Sequence, residues 1–200
     1  MTDVTNILYW ISTGLLIPVI ALLLFGFVKA LLLLGSFFGM YINRLKYLKQ
    51  QKLAIDNIQL GKTENLDHLL SIKGNKLFSD HLQQIERFKD EPIICEKVLS
   101  DFELASEKEL SNSKSLARLG PMLGLMGTLI PMGPALVGLA SGDITSMAHN
   151  MQVAFATTVI GLFAGGIGYV TQLVKQRWFV EDVSNLEFIY QFTTVSKNEA

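Results

Sequence analysis

The chain has 200 residues, 50% of them hydrophobic and only 18% charged, with 17 Lys and Arg against 18 Asp and Glu and a formal net charge of −1. Soluble domains carry about 25% charged residues, so the balance argues against an ordinary soluble domain, and nothing in it points to a nucleic-acid partner. The lone cysteine, Cys95, excludes an intramolecular disulfide, and no Cys/His cluster has the spacing of a zinc site.

The apolar residues are gathered into blocks. The first runs from Ile7 to Ile42 with Lys29 as its only charge. As a helix it would be about 54 Å long at 1.5 Å per residue, more than the roughly 20 residues that span a hydrocarbon core. A tilted or protruding transmembrane helix over residues 1–42 is therefore expected. A secretory signal fits poorly, because Met1–Asn6 contains no Lys or Arg and the run is too long for a signal core. Tyr9 and Trp10 mark the outer end as aromatic anchors, and Lys29 reads as an anchor snorkelling to the inner interface.

Residues 43–116 are rich in helix formers and read as a cytoplasmic helical insertion, with breaks at Gly61 and Gly74. Pro92 suits a first helical turn. After it, Ile94, Val98, Phe102 and Ala105 recur at helical spacing. Cys95 falls here and reads as a small buried thiol. The region holds no phosphate-binding loop and no nucleophile–base set, so an enzyme is not expected.

Residues 117–174 hold two further apolar blocks, Leu119–Ala140 and Ala148–Val174, joined by a short loop. Neither contains Asp, Glu, Lys or Arg, and His149 is a titratable side chain near the start of the second. Residues 175–200 continue without Gly or Pro, and Phe179, Val183, Leu186 and Tyr190 form one helical face. Arg44, Lys46, Lys49, Lys52, Lys114, Arg118, Lys175 and Arg177 flank the spans on one side, whereas the other side carries only Asp3 and Asp143. Positive residues stay on the cytoplasmic side, which places the N-terminus outside. The expected fold is an all-α, multi-pass membrane protein with three transmembrane helices and a cytoplasmic C-terminal helix.

The second and third spans carry small faces: Gly120, Gly124 and Gly127 with Thr128, and Thr157, Thr158, Gly161, Gly165 and Gly168. Such faces let membrane helices approach closely, and packing is the role expected of the glycines. Pro131 and Pro134 remove two backbone donors and predict a kink beside Thr128. A lone threonine in a membrane helix is commonly accounted for by a hydrogen bond to its own backbone. Three at matched depth, on glycine faces, point towards a hydrated ion path. No carboxylate lies in either span, although a proton relay normally needs one, so another polypeptide would have to supply it.

Two motifs stand in order around the short loop, Gly124-Leu-Met-Gly-Thr-Leu129 and Ala156-Thr-Thr-Val-Ile-Gly-Leu162. With them the chain resembles the MotA/TolQ/ExbB proton channel family, in its three-helix TolQ/ExbB form. The resemblance implies a ring of five subunits in the cell (inner) membrane around two copies of a single-span MotB/ExbD/TolR-like partner with a membrane aspartate. It implies a stator that converts ion flow into mechanical work, with Thr128 and Thr158 facing the pore and Thr157 beside them. Lipid is the only other partner implied, with no cofactor and no metal. The chain departs from TolQ and ExbB at Val153, where they place a glutamate, and Gln152 is its nearest polar neighbour. Proton and sodium both remain open, and so does a non-conducting membrane scaffold of the same fold.

Overall fold

A computed structural model of the chain describes residues 2–59, 76–89 and 91–198. Five helices account for nearly all of them: α1 Thr2–Gly14, α2 Leu16–Gln59, α3 Lys76–Arg87, α4 Pro92–Ala140 and α5 Ile144–Asn198. Among the described residues, three stretches are long and apolar enough to cross a membrane, Asn6–Lys46, Pro92–Ala140 and Ile144–Phe192. The all-helical class with three such helices is thus as expected. Gly61 and Gly74 lie outside the described residues.

The first apolar block is not one unbroken helix, because Leu15 interrupts it. Pro18 has no N–H to give to the Gly14 carbonyl and crowds it. The Leu15 amide still reaches the Ile11 carbonyl at 3.1 Å, so the interruption is local. Pro121, Pro131 and Pro134 all lie inside α4, which continues through them. Neither α4 nor α5 stops at residues 116 or 174; each is one helix across that position.

Only three residues, Ser141 to Asp143, reverse the chain between α4 and α5. The Asp143 amide donates to the Gly138 carbonyl at 2.8 Å and the Gly142 amide to the Leu139 carbonyl at 3.2 Å. That pair of bonds is a Schellman motif, and Gly142 takes the left-handed φ of 76° it needs. The next residue starts α5: the Ser146 amide donates to Asp143 Oδ1 at 3.0 Å, an N-cap. Hydrogen bonds from Ser146, its side chain first and then its amide, hold the Asp143 carboxyl below its usual range. A lowered pKa means that the cap contributes above the unfolded-state value of about 3.9 and is lost as pH falls through the lower folded one. Gly142→Val should cost about 1–2 kcal/mol from the left-handed backbone alone, read as a lower thermal midpoint.

The helices build two compact units, Met1–Gly35 with Asn112–Gln172, and Ser36–Ser111 with Leu173–Ala200. The core of the second unit brings Phe78, Leu82 and Ile85 of α3 against Cys95, Val98, Phe102 and Leu110 of α4 and Phe179, Leu186 and Ile189 of α5. The α3 residues recur at i, i+4 and i+7, which is why so polar a segment holds one dry face. Each fully buried large apolar side chain contributes about 1.5–3 kcal/mol. Glu91 starts α4 by accepting from the Ile94 and Cys95 amides at 3.0 and 3.1 Å, with Pro92 in the first turn. Burial, and then the Glu91 carboxylate, push the Cys95 thiol up. The thiol donates to the Phe88 carbonyl at 3.2 Å, so it behaves as a core group.

Ion pairs centred on Arg44 and on Lys175 cross this unit. Arg44 of α2 donates to both Asp182 oxygens at 2.9 Å, and its guanidinium lies 5.2 Å from the Trp178 ring. Phe37 stacks on Trp178 with ring centroids 5.8 Å apart. Lys175 donates to Glu109 at 3.0 Å. Asp182 is 1% exposed, so removing Arg44 takes a bidentate guanidinium away from a buried carboxylate, and breaking such a pair costs about 3–5 kcal/mol. Arg44→Ala should therefore lower thermal stability by more than Lys97→Ala, whose bond to Asp101 joins two exposed side chains.

Candidate functional site

In the first unit, α4 and α5 run antiparallel from the tight turn and meet along their small faces. A methyl group on Gly161 would fall 2.6 Å from Gly124 Cα and 2.7 Å from the Gly120 carbonyl oxygen. One on Gly120 would fall 2.7 Å from the Gly165 nitrogen, and one on Gly124 would fall 3.2 Å from Gly161 Cα. Carbon atoms prefer about 3.5–4.0 Å. Backbone packs on backbone here, with no space for a side chain.

Beyond Gly120 and Gly124, the glycines of α5 meet other residues of α4. Gly165 receives the Pro121 ring, whose Cδ would lie 2.5 Å from a methyl there. Gly168 faces the Ala117 nitrogen at 2.6 Å and the Ser113 carbonyl at 3.0 Å by the same measure. Pro121, Ala117 and Ser113 are contact residues that the sequence reading did not single out. The available signal was their i−3 and i−7 spacing from Gly120 and Gly124, but helical spacing says which residues share a face and not what faces them. Pro131 is fully buried and Pro134 half-buried.

The three threonines are not equivalent. Thr157 is 5% exposed and lies in the seam, where a methyl on Gly127 would fall 2.6 Å from its Cβ. Thr128 and Thr158 are half-buried, each the next residue after this contacting pair. Successive residues turn by about 100° around a right-handed helix. On antiparallel helices that face each other at Gly127 and Thr157, the next residue on each turns to the same side. Thr128 and Thr158 therefore emerge on one face and at one level. The first helix covers the opposite face: Tyr9 lies beside Gly133, Gly26 beside Leu116, and Phe27 is 6.1 Å from Phe163.

All three hydroxyls donate to their own helix. Thr128 Oγ1 reaches the Leu125 carbonyl at 2.7 Å, Thr157 Oγ1 the Val153 and Ala154 carbonyls at 3.0 and 2.9 Å, and Thr158 Oγ1 the Ala154 carbonyl at 3.0 Å. With the proton committed, each oxygen keeps lone pairs to offer. Such a group accepts from a hydronium ion or water and can ligate a cation, but it cannot hold an anion. Gln152 and His149 are exposed and Val153 is half-buried. Their places on α5 put Gln152 on the side of the first helix, away from Thr158.

A family model for the MotA/TolQ/ExbB proton channel family matches residues 71–186. No curated protein and no solved structure matches the chain.

Proposed function

The chain belongs to the MotA/TolQ/ExbB proton channel family, and on that premise we propose that it is the ring-forming subunit of an ion-driven stator. It is a membrane protein, and in this reading it sits in the inner membrane with the N-terminus outside. Five copies surround the membrane helices of two single-span partners. Ions cross beside the partner, and the ring turns relative to it, delivering mechanical work rather than catalysing a reaction.

The observation that carries this reading is the joint emergence of Thr128 and Thr158, at one level, on the face that the first helix leaves free. Repeated around a ring, that face would line a passage with hydroxyl oxygens at mid-membrane. Such rings of oxygen ligands replace part of an ion's hydration shell. The two spans Leu119–Ala140 and Ala148–Val174 contain no Asp or Glu, and Val153 occupies the place of the family's glutamate. A partner carboxylate must then carry the proton, which fits a single-span partner with a membrane aspartate.

One observation favours a second reading. The Thr128, Thr157 and Thr158 hydroxyls are each satisfied by their own backbone, which is also how threonines behave in a non-conducting scaffold. Native mass spectrometry of the tagged protein, purified gently from its membrane, separates the two. Five copies with two of a single-span protein bearing a membrane aspartate is the outcome expected of the stator. A ring without such a partner would leave the scaffold.

A further inference from the structure

Within the unit formed by Met1–Gly35 and Asn112–Gln172 lies an open groove of about 520 Å³ between α2 and α4. Its size is within the ~300–1,000 Å³ of small-molecule sites. Leu22 and Phe25 of α2 and Leu116 and Leu123 of α4 make its walls apolar, while Lys29, Asn112 and Ser115 are its polar residues. The contacts set its register: Tyr9 meets Gly133 and Gly26 meets Leu116, so the two helices run antiparallel in step. Lys29 therefore stands level with Asn112 and Ser115, with Leu32 and Leu33 one turn beyond it, and the longer apolar wall leads from there towards the middle of the membrane. Twenty residues of helix from Tyr9 to Lys29 rise about 30 Å, one hydrocarbon thickness. If Tyr9 anchors one interface, the groove's polar end is at head-group depth on the other.

Lys29 is exposed, and the contact shown for its ammonium is the Phe25 ring at 5.1 Å. Among the described residues that line the groove, none is acidic. Nor can an apolar block of a second copy neutralise it, since Ile7–Ile42, Leu119–Ala140 and Ala148–Val174 contain no Asp or Glu. A cation at the head of an apolar trough matches one ligand chemistry available in every bilayer. We propose that the groove seats an acyl chain of an anionic phospholipid, whose phosphate pairs with Lys29 and accepts hydrogen bonds from Asn112 and Ser115. This inference rests on the membrane placement and not on ion conduction.

The test uses the full chain in mild detergent, offered equal amounts of phosphatidylglycerol and phosphatidylcholine and examined by native mass spectrometry. One cation near an anionic lipid surface corresponds to about a fivefold preference, so phosphatidylglycerol should be retained about fivefold over phosphatidylcholine. Lys29→Gln should abolish that preference and Lys29→Arg should keep it, with thermal midpoint and copy number unchanged in both. Gly26→Leu, which has space at its own position, should fill the trough and reduce retention of both lipids. Excess inorganic phosphate should not displace the lipid. Equal retention of the two lipids by the unmodified chain, an undiminished preference in Lys29→Gln, or displacement by phosphate would each overturn the proposal. So would efficient cross-linking between copies of Leu32→Cys in a Cys95→Ser background, because a second copy would then cover the groove.

Discussion

On the proposed stator reading, Thr158→Ala should leave expression and assembly close to normal while cutting ion-driven output at least tenfold. The substitution removes one hydroxyl from a half-buried side chain on the free face of the α4–α5 pair, and the backbone carbonyl it releases still bonds within its helix. Output is measurable as dye-reported proton uptake by cells or proteoliposomes containing the chain and its partner. Thr128→Val tests the same face with shape conserved and should behave alike. Thr157→Val is the discriminating control. Its side chain lies in the seam against Gly127, so an isosteric change there should leave output within about twofold. Full output from Thr158→Ala and Thr128→Val together would remove both threonines from the path and favour the scaffold. A loss confined to Thr157→Val would mean that the path runs through the seam instead.

Gly161→Leu should prevent α4 and α5 from packing and abolish recovery of a monodisperse complex. The first carbon of any side chain there lies 2.6 Å from Gly124 Cα and 2.7 Å from the Gly120 carbonyl. Overpacking that side chains can relieve costs about 1–3 kcal/mol, but here backbone meets backbone and neither helix has a rotamer to change. Gly161→Ala should already lower the thermal midpoint measurably. Gly166, five residues on, has nothing within 4 Å of the corresponding position, so Gly166→Ala should keep the midpoint of the unmodified chain. Size-exclusion chromatography and a thermal unfolding series on the three variants read this out. An intact, equally stable Gly161→Leu complex would show that the close approach of the two helices is not required.

The membrane class was legible because hydrophobic length and charge are summed along the chain, and those sums need no knowledge of neighbours. Leu119–Ala140 is long enough and uncharged whatever lies beside it. The glycines were legible as a class for a related reason, since helical periodicity sorts residues onto faces from sequence alone. The stripe Phe179, Val183, Leu186 and Tyr190 was visible in the same way, and its members pack in or against one core. Pro18 signals the break at Leu15, but a long apolar run by itself suggests one continuous helix.

Tertiary structure alone decided what depends on which residues meet. Arg44 and Asp182 are 138 positions apart, and neither is marked by a motif. Among Thr128, Thr157 and Thr158, composition and spacing treat all three alike. The contact between Gly127 and Thr157 sets the rotation of each helix about its axis, and that rotation buries one threonine and turns the other two onto a shared face. The chain by itself determined that these helices suit a membrane and could approach closely; only the pairing of one glycine with one threonine determined which side chains reach an open face.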